Sequence, residues 1–492
     1  GGGTNLTCKE ANVNIKDIEV PVAELRHACD PAEFSFENTS QLSFKDEVIG
    51  QERGVRAIEF GLSIQNHGYN IFVSGIPGTG KNSIVKSIVK SISSGRPVPD
   101  DWCFINNFKD TDRPYAIKLP PGKGREFQGD MEKFIEFMMN EIPKVFESKE
   151  YEEQKSRIGE EAEKAKEVLF EETSTRAQDM GFQLSITRTG IVKVPLYRGK
   201  PLQPQDLNNL APEQRAEMED REKKVDGEIR DFLAKARQLD KEAHEKIHDL
   251  NRRIAHFAMG HQLEDLKEKY GSNSRISGYL VEVEEDILGN LKEFAGQQQE
   301  MPIPIEGMDK QSFFERYKVN VIVDNSKTSG GPVAEESNPT YNNLVGRIER
   351  KARFGAFYTN FTMIKSGSVL QANGGYLLLN VLDVLRNPFS WEALKRIIKK
   401  NEVKIEDIAE LYGFTTGGMK PEPIPVQLKI IMLGSPWLYY LLYYYDEDFR
   451  NIFKVKSDFD TQMDDSREEK MRYANFVGNL AKSENLLPFD RE

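Results

Sequence analysis

Residues 70–92 read Asn-Ile-Phe-Val-Ser-Gly-Ile-Pro-Gly-Thr-Gly-Lys-Asn-Ser-Ile-Val-Lys-Ser-Ile-Val-Lys-Ser-Ile, and this stretch constrains the fold most. Ile71, Phe72 and Val73 form an apolar run of strand character that stops at Gly75. Ile84, Val85, Ile88, Val89 and Ile92 then recur at helical spacing. Between strand and helix lies G-x-x-x-x-G-K, the context in which that pattern makes a phosphate-binding loop. Glycines let backbone N–H groups turn inward around phosphate oxygens, and the helix N-terminus adds partial positive charge. The cradle is Gly75, Ile76, Pro77, Gly78, Thr79, Gly80 and Lys81, with Asn82 and Ser83 opening the helix. Lys81 is placed to reach the β- and γ-phosphates of ATP or ADP. Asn82 stands where a Ser or Thr hydroxyl ordinarily binds Mg²⁺. Its amide oxygen or the Ser83 hydroxyl is left as a substitute ligand.

A P-loop inside a chain of 492 residues leaves room for further domains. The chain has net charge −12 and 30% charged residues, which argues against broad nucleic-acid binding. No run of about 18 apolar residues suggests a membrane span. Three scattered cysteines, Cys8, Cys29 and Cys103, suggest a reducing, cytoplasmic setting and no metal cluster. The chain opens Gly-Gly-Gly without Met, so we expect a piece of a longer protein.

The expected fold is α/β, a parallel sheet flanked by helices. Residues 1–44 form a lead-in packing on the core, and residues 45–130 its first part. Here Val55, Ile58, Phe60 and Leu62 suggest a helix before the P-loop, and Trp102–Ile105 a second core strand. Residues 131–300 form an inserted helical arm with a small β tip at about 181–201. In its second helix Val225, Ile229, Phe232, Ala236, Leu239, Ala243, Ile247, Leu250, Ile254 and Phe257 step by fours and threes, a coiled-coil seam. His244-Glu-Lys-Ile-His248 matches H-E-x-x-H, with Glu268 at a third-ligand spacing, but a charged helix whose seam runs through Ala243 and Ile247 provides no cavity for zinc chemistry. Residues 301–460 resume the core, with a strand at Tyr317–Asp324 followed by a loop rich in Gly, Pro, Ser and Asn. Residues 461–492 begin a helical lid.

Tyr376–Leu379 reads as a buried strand of the Walker B kind, whose final acid holds Mg²⁺ through water and whose next acid activates the attacking water. Here those positions are Asn380 and Val381, and Asp383 comes three residues late. A further strand over 427–435 ends at Ser435, the candidate polar sensor. Trp437–Tyr445 reads as an aromatic helix in the core or at a subunit contact. Arg450 is the candidate arginine finger, with Lys454 and Lys456 as rivals.

Taken in order, Ile49-Gly-Gln-Glu-Arg, Gly75 to Lys81, Asn107-Phe108 with Leu119-Pro120, Asn343-Leu-Val-Gly-Arg-Ile-Glu, Ala372-Asn-Gly-Gly-Tyr and Trp391-Glu-Ala-Leu-Lys-Arg resemble the AAA+ region of the Lon-like proteases, specifically the LonB/LonC-like group. The resemblance runs from about residue 20 to 492. It implies that the Gly-Gln element lies near the adenine. It also implies a homohexameric ring that recognises, gates or threads unfolded or damaged proteins, set on a C-terminal Ser–Lys peptidase domain that this chain lacks. Phe354, Phe357 and Tyr358 fall where related rings place an aromatic loop that grips substrate. One reading is an ATP-dependent module. A second is an ATP-independent gate, which the altered Walker positions favour. A third is an unrelated AAA+ ATPase of the transcriptional-activator kind, suggested by Gly355-Ala-Phe, opposed by the acidic charge and the missing helix-turn-helix.

Overall fold

The computed structural model describes residues 19–22, 25, 29–42, 50–187, 190–197, 200–202, 212–295, 310–353, 356–411, 413, 418–462 and 464–490. Five parallel strands form the core: β1 Ile71–Ser74, β2 Val333–Glu336, β3 Tyr376–Asn380, β4 Lys429–Gly434 and β5 Val455–Asp458. Their spatial order is β5–β1–β4–β3–β2. β1 and β4 are buried along their whole length, as a parallel strand covered on both faces requires. β2 is a half-exposed edge reading Val-Ala-Glu-Glu, which explains why its stretch of sequence reads as loop. Helix α1 (Glu52–Ser63) covers one side with Ile58 and Leu62, while Phe60 points to solvent. Helix α2 (Lys81–Ser94) adds Val85 and Val89 to the same layer.

The chain leaves this sheet after α2 and returns at β2. Asp101–Ile105, read from the sequence as a second core strand, pairs antiparallel with Tyr115–Leu119 on one side and Asn320–Val323 on the other. The small sheet is bolted by Asp101. This fully buried carboxylate accepts the amides of Gly124 at 2.9 Å and Asn325 at 2.8 Å, at opposite ends of the excursion. On it pack α3 (Lys123–Phe146), the base of α5 (Pro212–Tyr270) and α6 (Ser274–Gly289), through Phe127, Met138, Met259, Leu263 and Tyr279.

Beyond this base α5 pairs with α4 (Lys149–Asp179). Lys166–Asp240 at 2.8 Å and Arg176–Glu228 at 3.0 Å, with the Tyr151 hydroxyl donating to Asn251 at 2.9 Å, fix the pair as antiparallel. At 1.5 Å per residue the 59 residues of α5 span roughly 88 Å. The hairpin Phe182–Thr187 and Gly190–Tyr197 closes the far end over Ala177 and Val225. The expected seam fails at one place: Phe257 is 87% exposed. There α5 has turned from α4 to α3 and α6, and its buried face moves to Ala255, Met259, Leu263 and Leu266.

Of the expected lead-in, residues 1–18, 23, 24, 26–28, 43 and 44 lie outside the described residues, as do residues 45–49 of the first part of the core. Val20, Val22 and Leu25 are exposed. Further along the lead-in, Glu33 pairs with Lys470 of the C-terminal helix Arg467–Ser483 at 3.0 Å, and Phe489, beyond that helix, donates its N–H to the Thr39 hydroxyl at 3.0 Å. No described helix is long and apolar enough to cross a membrane.

Candidate functional site

Parallel strands deliver their C-terminal ends to one edge, where α/β sheets bind ligands. Pairing sets Ser74 of β1 beside Gly434 of β4 and Asp458 of β5, and Asn380 of β3 beside Leu433. Close approach at this edge depends on Gly434, where a Cβ would stand 2.3 Å from Val381 Cγ1.

Gly75 follows β1 and donates its N–H to Gly434 O at 3.1 Å. The loop then bulges outward, with Gly78 at φ 90° and Gly80 at φ 70°, backbone that a side chain strains. Ile76, Pro77, Gly78 and Gly80 are exposed, as are Asn82 and Ser83. Thr79 Oγ1 donates to Ile76 O at 2.9 Å and braces the turn. Lys81 Nζ folds back to donate to Gly75 O at 2.7 Å and Ile76 O at 3.2 Å. Burial holds this ammonium below its ordinary pKa. No side chain caps α2, so its first amides face the loop. An uncapped helix N-terminus, a bent glycine loop and an ammonium without a carboxylate partner among the described residues meet at this turn, the parts from which an anion cradle is built.

β3 ends differently. Asn380 Oδ1 accepts the Leu382 N–H at 2.9 Å and caps the helix Val381–Arg386. Val381 is fully buried against the core. Asp383 sits half-buried in that helix, its carbonyl held by Asn387 at 2.9 Å. The strand end thus offers an amide already bonded and an apolar side chain. A hard divalent cation prefers carboxylate and water oxygens, so this donor set fits Mg²⁺ poorly.

Ser435 follows β4 directly and opens the helix Pro436–Tyr445 without a side-chain cap, so it shares this edge with the P-loop. Arg450 does not. It lies in the helix Glu447–Ile452 ahead of β5, at the opposite edge, exposed and 5.3 Å over the Tyr443 ring. Lys454 lies over Tyr69, and Lys456 pairs with Asp458 at 2.9 Å. Phe357 is 76% exposed on the hairpin Lys351–Arg353 and Ala356–Tyr358, and the half-buried Tyr358 hydroxyl accepts from Asn360 at 2.9 Å. Phe354 lies outside the described residues.

Sequence reasoning did not find the partners of the Gly-Gln element, of which Ile49 lies outside the described residues. Gln51 is buried and bonds both ways to the Asp460 backbone, at 3.0 and 2.8 Å, while Gly50 donates its N–H to Glu469 at 3.1 Å. The element is thereby tied to the end of β5 and to the C-terminal helix. These pairs lie more than 400 residues apart, and nothing local signals them.

A P-loop between β1 and α2, at the edge of a parallel sheet ordered β5–β1–β4–β3–β2, defines an AAA-type nucleotide-binding core. The family model "LonB-like, AAA domain" matches residues 329–460, and "Lon-like LonC helical domain" matches residues 101–134. The chain carries a Lon-like AAA+ region. Among solved structures, NtrX from Brucella abortus is 18% identical over 32% of this chain and 33% of its own, with TM-score 0.22. The same protein in complex with ADP is 16% identical over 26% and 25%, with TM-score 0.18. The alignments span a third or less of those chains. No curated protein matches this one.

Proposed function

We propose that this chain is the nucleotide-holding module of a Lon-like protease ring, gating or passing unfolded or damaged proteins to a peptidase domain outside this chain. The observation that carries the reading is the asymmetry of the nucleotide edge. The β1 end keeps an open phosphate cradle around Lys81, while the β3 end spends Asn380 on a helix cap and Val381 on the core. ATP or ADP acts as a held ligand that organises the edge, with little turnover.

In a homohexamer Arg450 serves a neighbour's nucleotide, since the whole length of β5 separates it from its own P-loop. Phe357, exposed on a hairpin between β2 and β3, meets substrate. A second reading, a gate working without nucleotide, is favoured by Lys81 being satisfied by its own loop carbonyls.

Calorimetric titration with ADP and ATP decides between them, with oligomer mass read from the same sample. Held nucleotide predicts saturable binding that weakens about 10- to 100-fold in Lys81→Ala, the loss of a charged hydrogen bond. Absence of binding by an assembled ring would leave the nucleotide-free gate.

A further inference from the structure

At the opposite edge of the core sheet, the beginnings of β1, β3 and β4 border a cleft of about 850 Å³. Its other walls come from the small antiparallel sheet, through Trp102 and Lys118, and from the helix Ser390–Lys400, through Ile397 and Ile398. The cleft therefore lies where the core meets the base of the arm. β1 separates it from the P-loop by roughly 13 Å of strand.

The charges in this cleft do not balance. Its lining contains the cations Arg96, Lys118 and Lys429 against one carboxylate, Asp100, in a chain whose net charge is −12. Asp100 is already paired with Lys118 at 2.6 Å. Lys429, 7% exposed, donates to the carbonyls of Gly61 at 2.9 Å, Tyr69 at 3.0 Å and Ile64, closing the C-terminal end of α1. It has hydrogen bonds but no counter-charge among the described residues. Arg96 lies 4.7 Å over the Tyr376 ring, and no described carboxylate pairs with it. Tyr376 is the cross-strand neighbour of Lys429, and its buried hydroxyl has no hydrogen-bond partner among the described residues. Like charges in a partly desolvated site repel, and a bound anion relieves the repulsion. Trp102 and Ile398 add an apolar wall beside the cations.

We propose that this cleft binds a small anion with an apolar body, a carboxylate or a phosphate monoester. Its charged group is held at Arg96, and its body rests on Trp102 and Ile398. The ligand bridges core and arm base, so occupancy ties the arm to the nucleotide module. The site is independent of the P-loop and of the reading given for it.

The test is calorimetric titration of the full chain with phenyl phosphate and with benzoate, using benzyl alcohol as the uncharged control. Saturable binding of either anion, at least tenfold weaker in Arg96→Gln and unchanged in Lys81→Ala, is the expected result. Which anion binds distinguishes the phosphate from the carboxylate source. Absence of saturation, equal binding in Arg96→Gln, equal binding of benzyl alcohol, or loss in Lys81→Ala overturns the proposal. Should Arg96→Gln not fold, hydrogen exchange on the unsubstituted chain decides. Protection by the anion at 65–70 and 96–102, with none at 75–81, supports the site, and protection at 75–81 alone contradicts it.

Discussion

β1 and β3 are both buried apolar strands that stop at one edge of one sheet and lead into a helix, β1 through the loop 75–80 and β3 with no residue between. Their helix N-termini are nonetheless put to different use. At β1 the cap residue is Gly80, which has no side chain to offer, and the first amides of α2 stay open toward the loop. At β3 the cap residue is Asn380, whose own oxygen closes the helix, and Val381 is drawn into the core beneath it. A helix N-terminus binds an anion only if the chain leaves it unspent. The β3 end is therefore occupied by a structural element, and one acid placed there does not by itself make a site.

The largest expected effect comes from forcing an acid into that element. Val381→Glu buries an unpaired charge and should destabilise the fold by about 3–5 kcal/mol, read by denaturant unfolding. A stable Val381→Glu would show that the β3 end opens easily and break the contrast. Next, Gly434→Ala places a Cβ 2.3 Å from Val381 Cγ1 and 3.0 Å from Phe72 Cζ, which should cost about 1–3 kcal/mol by overpacking. An unchanged melting point would mean that the two strand ends are not held as tightly as described.

A smaller effect separates cap from ligand. Asn380→Ala should cost about 1 kcal/mol, while Asn380→Asp, an equally good cap, should leave stability nearly unchanged. If Asn380→Asp alone brought substantial phosphate release, the cap would not be the main role of this residue.

A pH-dependent effect concerns the other edge of the sheet. Burial, and then Arg96, lower the pKa of Lys429 from its ordinary 10.5 to about 8. Between these values the unfolded chain binds the proton and the folded chain has released it, so stability rises with pH. Relative to Lys429→Met, the parent should gain stability from about pH 8 towards pH 10.5, by no more than about 1.4 kcal/mol per pH unit. A flat difference across that range would mean that the ammonium is not desolvated.

Much of the nucleotide edge was legible because its signals are local. The run Ile71–Val73, the glycines at 75, 78 and 80 and the spacing of Val85 and Val89 each prescribe their own backbone, and Tyr376–Leu379 reads as buried from its apolar side chains alone. Sheet membership was not legible. Trp102–Ile105 has the same apolar character as a core strand, and it is antiparallel pairing with Tyr115–Leu119 and, more than 200 residues later, Asn320–Val323 that takes it out of the parallel sheet. β2 escaped for the converse reason, since an edge strand reading Val-Ala-Glu-Glu carries no apolar run. Phe257 shows the limit of periodicity: spacing continues along α5 while its packing partner changes. The clamp of Gln51 on Asp460 joins two polar residues with no local pattern between them.

The central contrast is tested most directly by measuring nucleotide binding and phosphate release together on the assembled protein, with Mg²⁺ and with EDTA, in the parent and in Lys81→Ala. The account predicts binding that Lys81→Ala weakens, and phosphate release that stays at the EDTA background in both. Release that requires Mg²⁺ and disappears in Lys81→Ala would contradict it, because the β3 end would then be completing a hydrolytic site without either acid.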